Sequence, residues 1–115
     1  MGKIESDTLY GTLNLLILRT LSEGPFHGLA ISRQIHADTQ DKLKIEEGAL
    51  YPALHRLERD GLVKGSWGVS ETRRRAKFYK LTNKGRAHLE REVERWMGHT
   101  KAVAAVLKLG GAWTR

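Results

Sequence analysis

The chain is expected to be mainly α-helical with a small β-hairpin, and three observations in its 115 residues predict this. Apolar residues recur at helical spacing in three early segments. Two short alternating segments then flank a charged stretch. The last segment keeps an apolar seam at heptad spacing over most of its length.

The first helix is expected over residues 8–22. Leu9, Leu13, Leu16, Ile17 and Leu21 line one face, and Leu15 and Leu18 widen it. Gly24-Pro25 ends it. A second helix is expected from His27 to about Ala37, with Leu29, Ile31 and Ile35 as core. The polar run from Asp38 to Lys44 reads as a loop. A third helix is expected from Glu46 or Glu47 to Asp60, burying Leu50, Leu54 and Leu57. Gly61 is the expected left-handed stop. Pro52 inside the pattern predicts an irregular or kinked first turn or two.

Leu62 to Val69 is expected to be a strand, with Trp67 in the domain core. Ser70 to Ala76 is expected to form a projecting loop. Lys77 to Leu81 alternates like a half-buried second strand. Thr82-Asn83 can cap a last helix reaching about Leu109. Its seam is Leu89, Val93, Trp96, Thr100, Val103 and Leu107, with Ala102, Val106 and Leu109 as a second stripe. Gly98 weakens it. No small core could cover such a helix, so the seam implies a partner, and a second copy is the simplest one. The expected division is a domain of three helices and the hairpin over 1–82, a dimerisation helix over 83–109 and a flexible tail over 110–115, where Trp113 could dock.

Charge points toward the partner of the middle segment. The net charge is +7, divided into −2 over residues 1–60 and +9 over residues 61–115. A concentrated basic excess suits a polyanion, although a solvated surface has the same composition. There is no cysteine, which excludes disulfides, thiolate metal sites and a cysteine nucleophile. The N-terminal segment has no secretory signal pattern, and no apolar run is long enough to span a bilayer. A cytoplasmic protein without membrane contact is expected. The five histidines, His27, His36, His55, His88 and His99, show no metal-ligand pairing. No nucleophile motif surrounds Ser66 or Ser70, so neither an enzyme nor a bound cofactor is expected.

Two helices joined by a turn and followed by a hairpin form a winged helix-turn-helix, in which the third helix enters the major groove of DNA. The candidate contacts on that helix are Gly48, Ala49, Tyr51, Pro52, His55, Arg56 and Arg59. Gly48 and Ala49 are small enough to let a phosphate approach the helix N-terminus. Tyr51 and His55 can donate to phosphates or base edges, and Arg56 or Arg59 can bind guanine through two hydrogen bonds. Each also has a plainer reading. Tyr51 can be a core-edge aromatic, His55 a surface residue, and Arg59 a partner of Glu58 or Asp60. Glu46 and Glu47 favour the helix N-terminus.

The wing supplies Arg73, Arg74, Arg75 and Lys77, with Lys80 and Lys64 extending the strip. Three adjacent arginines with only Glu71 nearby are better explained by phosphate contact than by solvation. A module that binds protein has no need of them. Non-specific DNA or RNA binding is the other alternative, and there scrambled sequences would compete equally.

The segments GTLNLLILRTLSEGPFHGLAI (11–31), EEGALYPALHRLERDGLVKGSWG (46–68) and RRRAKFYKLTNKGRAHL (73–89) resemble the PadR family of bacterial transcriptional regulators. The resemblance covers about four fifths of the chain, and its second segment is highly specific. It implies a winged-helix DNA-binding domain, a homodimer on a palindromic operator and a role usually as repressor. The chain is similar to the short-tailed subfamily, in which one C-terminal helix makes the dimer. One relative of that kind binds flat aromatic drugs between its subunits through a tryptophan on that helix, and Trp96 stands at the matching place. Trp96 therefore has two readings, interface core and part of a slot for a small aromatic effector; the first is preferred, since aromatics are common at interfaces.

Overall fold

The computed structural model describes residues 6–110, with side chains described from residue 12 onward. The elements run α1 (Ser6–Leu21), β1 (Phe26–His27), α2 (Gly28–Asp38), α3 (Glu47–Arg59), β2 (Val63–Val69), β3 (Arg75–Leu81) and α4 (Asn83–Val106). The expected order of helices and hairpin holds. One strand was not anticipated: β1 pairs antiparallel with β3, Phe26 opposite Tyr79 and His27 opposite Phe78. The sheet is thus three-stranded, in the order β1-β3-β2.

One core joins every helix to the base of the sheet. Leu13, Ile17, Leu18 and Leu21 from α1 meet Ile31 and Ile35 from α2 and Leu50, Ala53, Leu54 and Leu57 from α3. Val63, Tyr79 and Leu89 close the far side. These are the faces predicted from helical spacing, and each fully buried aliphatic side chain contributes about 1.5–3 kcal/mol. The side chain of Leu9 and residues 111–115, including Trp113, lie outside the described residues.

Leu29 is a correction, because it is 46% exposed rather than core. Ile31 and Ile35, four apart, define the buried face of α2, and Leu29 lies off it in the first turn. His27 is not in the helix. It caps α2 from outside, its Nδ1 accepting from the backbone N–H of Ala30 at 3.2 Å.

Pro52 does not interrupt α3, which is continuous from Glu47 to Arg59. The bond that proline cannot donate would go to the carbonyl of Gly48, which is exposed near the helix start. There water can replace it. Gly61 stops the helix at φ +77°, as expected.

The hairpin is tighter than predicted. β3 begins at Arg75, so only residues 70–74 connect the strands, rather than 70–76. Trp67 is a second correction, being 61% exposed. Val63, Gly65, Trp67 and Val69 share one face of β2, but only its base, at Val63, reaches the core. The hairpin simply extends beyond the helices.

The hydroxyl of Thr82 accepts from the N–H of Gly85 at 2.9 Å and starts α4 as predicted. The helix ends at Val106, three residues before the expected Leu109. Lys108 adopts a left-handed φ of 62°, and Leu109 N–H returns to the carbonyl of Ala104 at 2.9 Å. That backbone closure terminates the helix even without glycine. Gly98 lies within the unbroken helix.

Candidate nucleic-acid interface

An open cleft of about 530 Å³ separates α3 and the start of α2 from the wing. Tyr51 and His55 line it from the helices, and Arg74, Arg75 and Lys77 line it from the hairpin. Five expected contact residues therefore share one concavity. Gly48, Pro52 and Arg59 are exposed elsewhere on α3, while Arg56 is half-buried. Ala49 packs partly against the core. Arg73 is exposed at the loop tip.

Tyr51 is held rather than loose. Its ring lies so close over Gly28 that a Cβ there would stand 2.7 Å from the ring carbon Cε1. Absence of a side chain at Gly28 thus sets how near the start of α2 comes to α3. The phenol remains partly exposed at the cleft.

The wing loop is closed by its own hydrogen bonds. Ser70 N–H donates to the carbonyl of Arg74 at 2.8 Å, and Arg73 N–H donates to that of Ser70 at 2.9 Å. Arg73 takes a left-handed φ of 62° to complete the turn. Glu71 is tied to the body of the domain, its carboxylate 3.4 Å from Nε2 of the buried His27. Its pKa is lowered, first by a hydrogen bond from its own backbone N–H and then by His27. This contact links the wing loop to the start of α2.

The cations of the wing differ in what surrounds them. None of the ion pairs among the described residues involves Arg73, Arg74 or Arg75. Lys77, by contrast, donates to Glu58 Oε1 at 2.9 Å. The other oxygen, Oε2, accepts from the N–H of Gly65 at 3.1 Å. Glu58 thus pins both strands to α3. The bond from Lys77 holds the Glu58 carboxyl below its ordinary pKa, and Glu58 in turn raises that of Lys77. Glu58 is consequently a brace between elements rather than the partner of Arg59, which pairs with Asp60 at 3.4 Å.

Leu29, Arg33 and Trp67 are among the residues that line the cleft without having been expected there from the sequence. Arg33 lies midway between Ile31 and Ile35, a spacing that turns it away from the core. That was a usable signal. No group of three or more candidate metal ligands occurs among the described residues.

The sequence that builds this fold matches a known regulator family. The model of the transcriptional regulator PadR-like family matches residues 17–91. The chain belongs to the PadR-like family.

Its relatives agree. A transcriptional regulator of Mycobacterium tuberculosis is 34% identical over 77 residues, which cover 67% of this chain and 68% of that protein. The solved structure of a transcriptional regulator from Clostridium thermocellum is similar, with a TM-score of 0.79 and 33% identity over 87% of this chain and 97% of the other. A PadR family transcriptional regulator from Eggerthella lenta has a TM-score of 0.75 and 30% identity, covering 90% and 88%. This PadR-like chain is accordingly a DNA-binding transcriptional regulator and not an enzyme.

The PadR-like chain has a second unusual surface along α4. Leu89 belongs to the core. Beyond it, Val93, Trp96, Met97, Val103, Val106 and Leu107 are exposed, and Thr100 is half-buried. Trp96 is 40% exposed and lies against His99, ring centroids 5.9 Å apart.

Proposed function

We propose that the protein is a homodimeric, sequence-specific repressor that binds a palindromic operator. The observation that carries this reading is the run of exposed apolar side chains on α4 from Val93 to Leu107. A contiguous apolar surface of this kind costs free energy in water and favours a partner surface. The same stripe on a second copy is self-complementary about a two-fold axis. The seam residues beyond the core, Val93, Trp96, Thr100, Val103 and Leu107, would meet their counterparts there, and Leu89 would anchor the helix to its own domain.

Two-fold symmetry presents two copies of α3 to DNA. Half-sites then lie about one helical turn apart, roughly 34–36 Å centre to centre. Tyr51, His55, Arg56 and Arg59, with Gly48, Ala49 and Pro52 at the leading part, are read as the groove-facing set on α3. Arg73, Arg74 and Arg75 are read as the backbone grip. Lys77 takes a supporting place, since Glu58 already engages its ammonium. Repression follows from occupying promoter DNA that a polymerase needs. No helix among the described residues is long and apolar enough to cross a membrane, and the cytoplasm is the compartment this reading requires.

Trp96 is read as interface core. Its half-exposed indole in a single copy also supports a second reading, in which paired Trp96 residues line a slot for a planar aromatic effector that releases the operator. Titrating the dimer with planar aromatic compounds separates the two: quenching of Trp96 emission supports the slot, and none supports interface core alone. The main reading is tested by sedimentation at micromolar concentration and by operator binding across salt. A monomer, or equal affinity for random duplex, contradicts it.

A further inference from the structure

We propose that Trp67 is a positioning residue for DNA binding, a flat platform that holds the Arg75 guanidinium ready for a backbone phosphate. The proposal rests on reading the cleft as the DNA-facing surface. It adds a role for a side chain that has no part in the core.

The register places the two residues together. Trp67 is opposite Lys77 and Val69 is opposite Arg75, so Trp67 and Arg75 are diagonal neighbours on one face of the hairpin. The guanidinium carbon stands 4.6 Å from the indole centroid. Both side chains line the cleft that Tyr51, Arg33 and Arg74 also line. Trp67 is 61% exposed, so burial does not explain a large aromatic there.

The chemistry of the stack is specific. A guanidinium over an indole uses its π face and leaves its N–H donors, which lie in the guanidinium plane, free. No carboxylate forms an ion pair with Arg75 among the described residues. Arg75 thus has an aromatic ring on one side and no carboxylate among the described residues competing for its donor edge, an arrangement that suits two-point binding of a phosphate. Lys77, two residues along the same face, is in the opposite condition, its ammonium engaged by Glu58. Arg73, at the tip, stacks on no aromatic ring among the described residues. A side chain already held loses less freedom when it binds. Arg75 therefore contributes more to grip than Arg73, and Trp67 acts through it.

The test uses the full chain and a fluorescein-labelled duplex of mixed sequence, because phosphate grip does not depend on base order. Anisotropy at several salt concentrations gives affinity and salt slope. Trp67→Ala is expected to weaken binding about two- to fivefold, the range for an exposed cation–π contact. Trp67→Phe retains most of the affinity. Arg75→Ala weakens binding more than Arg73→Ala and lowers the salt slope by about one. In the Arg75→Ala background, Trp67→Ala has no further effect. A second readout needs no DNA. In a W96F, W113F chain, where Trp67 is the remaining tryptophan, adding Arg75→Ala must change the indole emission.

Unchanged emission would overturn the proposal, as would equal losses from Trp67→Ala with and without Arg75. Affinities of Trp67→Ala and Arg75→Ala both equal to the parent would overturn it as well. A parent chain that fails to bind the duplex at all would overturn the reading of the cleft itself, and the proposal with it.

Discussion

The cleft beside the wing and the outer stripe of α4 are both incomplete surfaces, but they are incomplete in opposite ways. The cleft holds guanidinium groups of Arg74 and Arg75 that form no ion pair among the described residues and that water solvates well. It is stable alone and releases counterions when a polyanion arrives. The α4 stripe holds Val93, Trp96, Val103 and Leu107, which water solvates poorly. It is costly alone and gains by being covered. The first surface therefore suits a reversible, salt-sensitive contact, and the second a lasting one. A regulator that stays dimeric while entering and leaving DNA needs both.

The largest effect is expected from breaking the lasting contact. Val103→Glu with Leu107→Glu places charges in the stripe and should yield a monomer by sedimentation. Operator affinity should fall about a hundredfold or more, since linked half-site binding is worth factors of roughly 10²–10⁴. Affinity of the monomer for random duplex should fall much less. If operator affinity survives, the two surfaces are not coupled as argued.

Next comes the grip. Replacing Arg73, Arg74 and Arg75 with alanine should weaken binding to every duplex and flatten the salt slope by roughly 2–3, about 0.9 for each phosphate no longer neutralised. Dimerisation should be unchanged. Tyr51→Phe or Arg56→Ala should be smaller on average and uneven across sequences, about 1–3 kcal/mol at the base pair concerned. Competition binding with single-base operator variants measures it. A uniform loss would move that residue from base reading to grip.

The smallest effect concerns the brace between α3 and the hairpin. Glu58 has a lowered pKa, chiefly through the hydrogen bond from Lys77. Its carboxylate therefore stabilises the fold fully above its unfolded pKa, and this is lost as pH falls through the lower folded value. Glu58→Gln should cost at most about 1 kcal/mol near neutral pH, because the pair is partly exposed. The cost should shrink as pH falls below about 4.3, the ordinary glutamate value. Urea unfolding at several pH values checks this.

Much of this was legible in the residues. Helical spacing identified the buried leucines of α3, Thr82 announced the cap of α4, and Gly61 its predecessor's stop. The arginine run marked the wing. Other features depend on tertiary reach. β1 has two residues, too few to show any period. Alternation along β2 tells which face Trp67 shares with Val63. It does not tell how far along the hairpin the helices extend, and so Trp67 was expected in the core. The Glu58–Lys77 brace joins residues 19 apart, beyond any local pattern. Leu29 was assigned inward because hydrophobicity alone does not distinguish a core face from a cleft wall.

The most direct measurement is a hydroxyl-radical footprint on the DNA upstream of the protein's own gene. The account predicts two protected patches related by two-fold symmetry, with centres about 10–10.5 base pairs apart. A single protected patch, or even protection along the whole duplex, would contradict it.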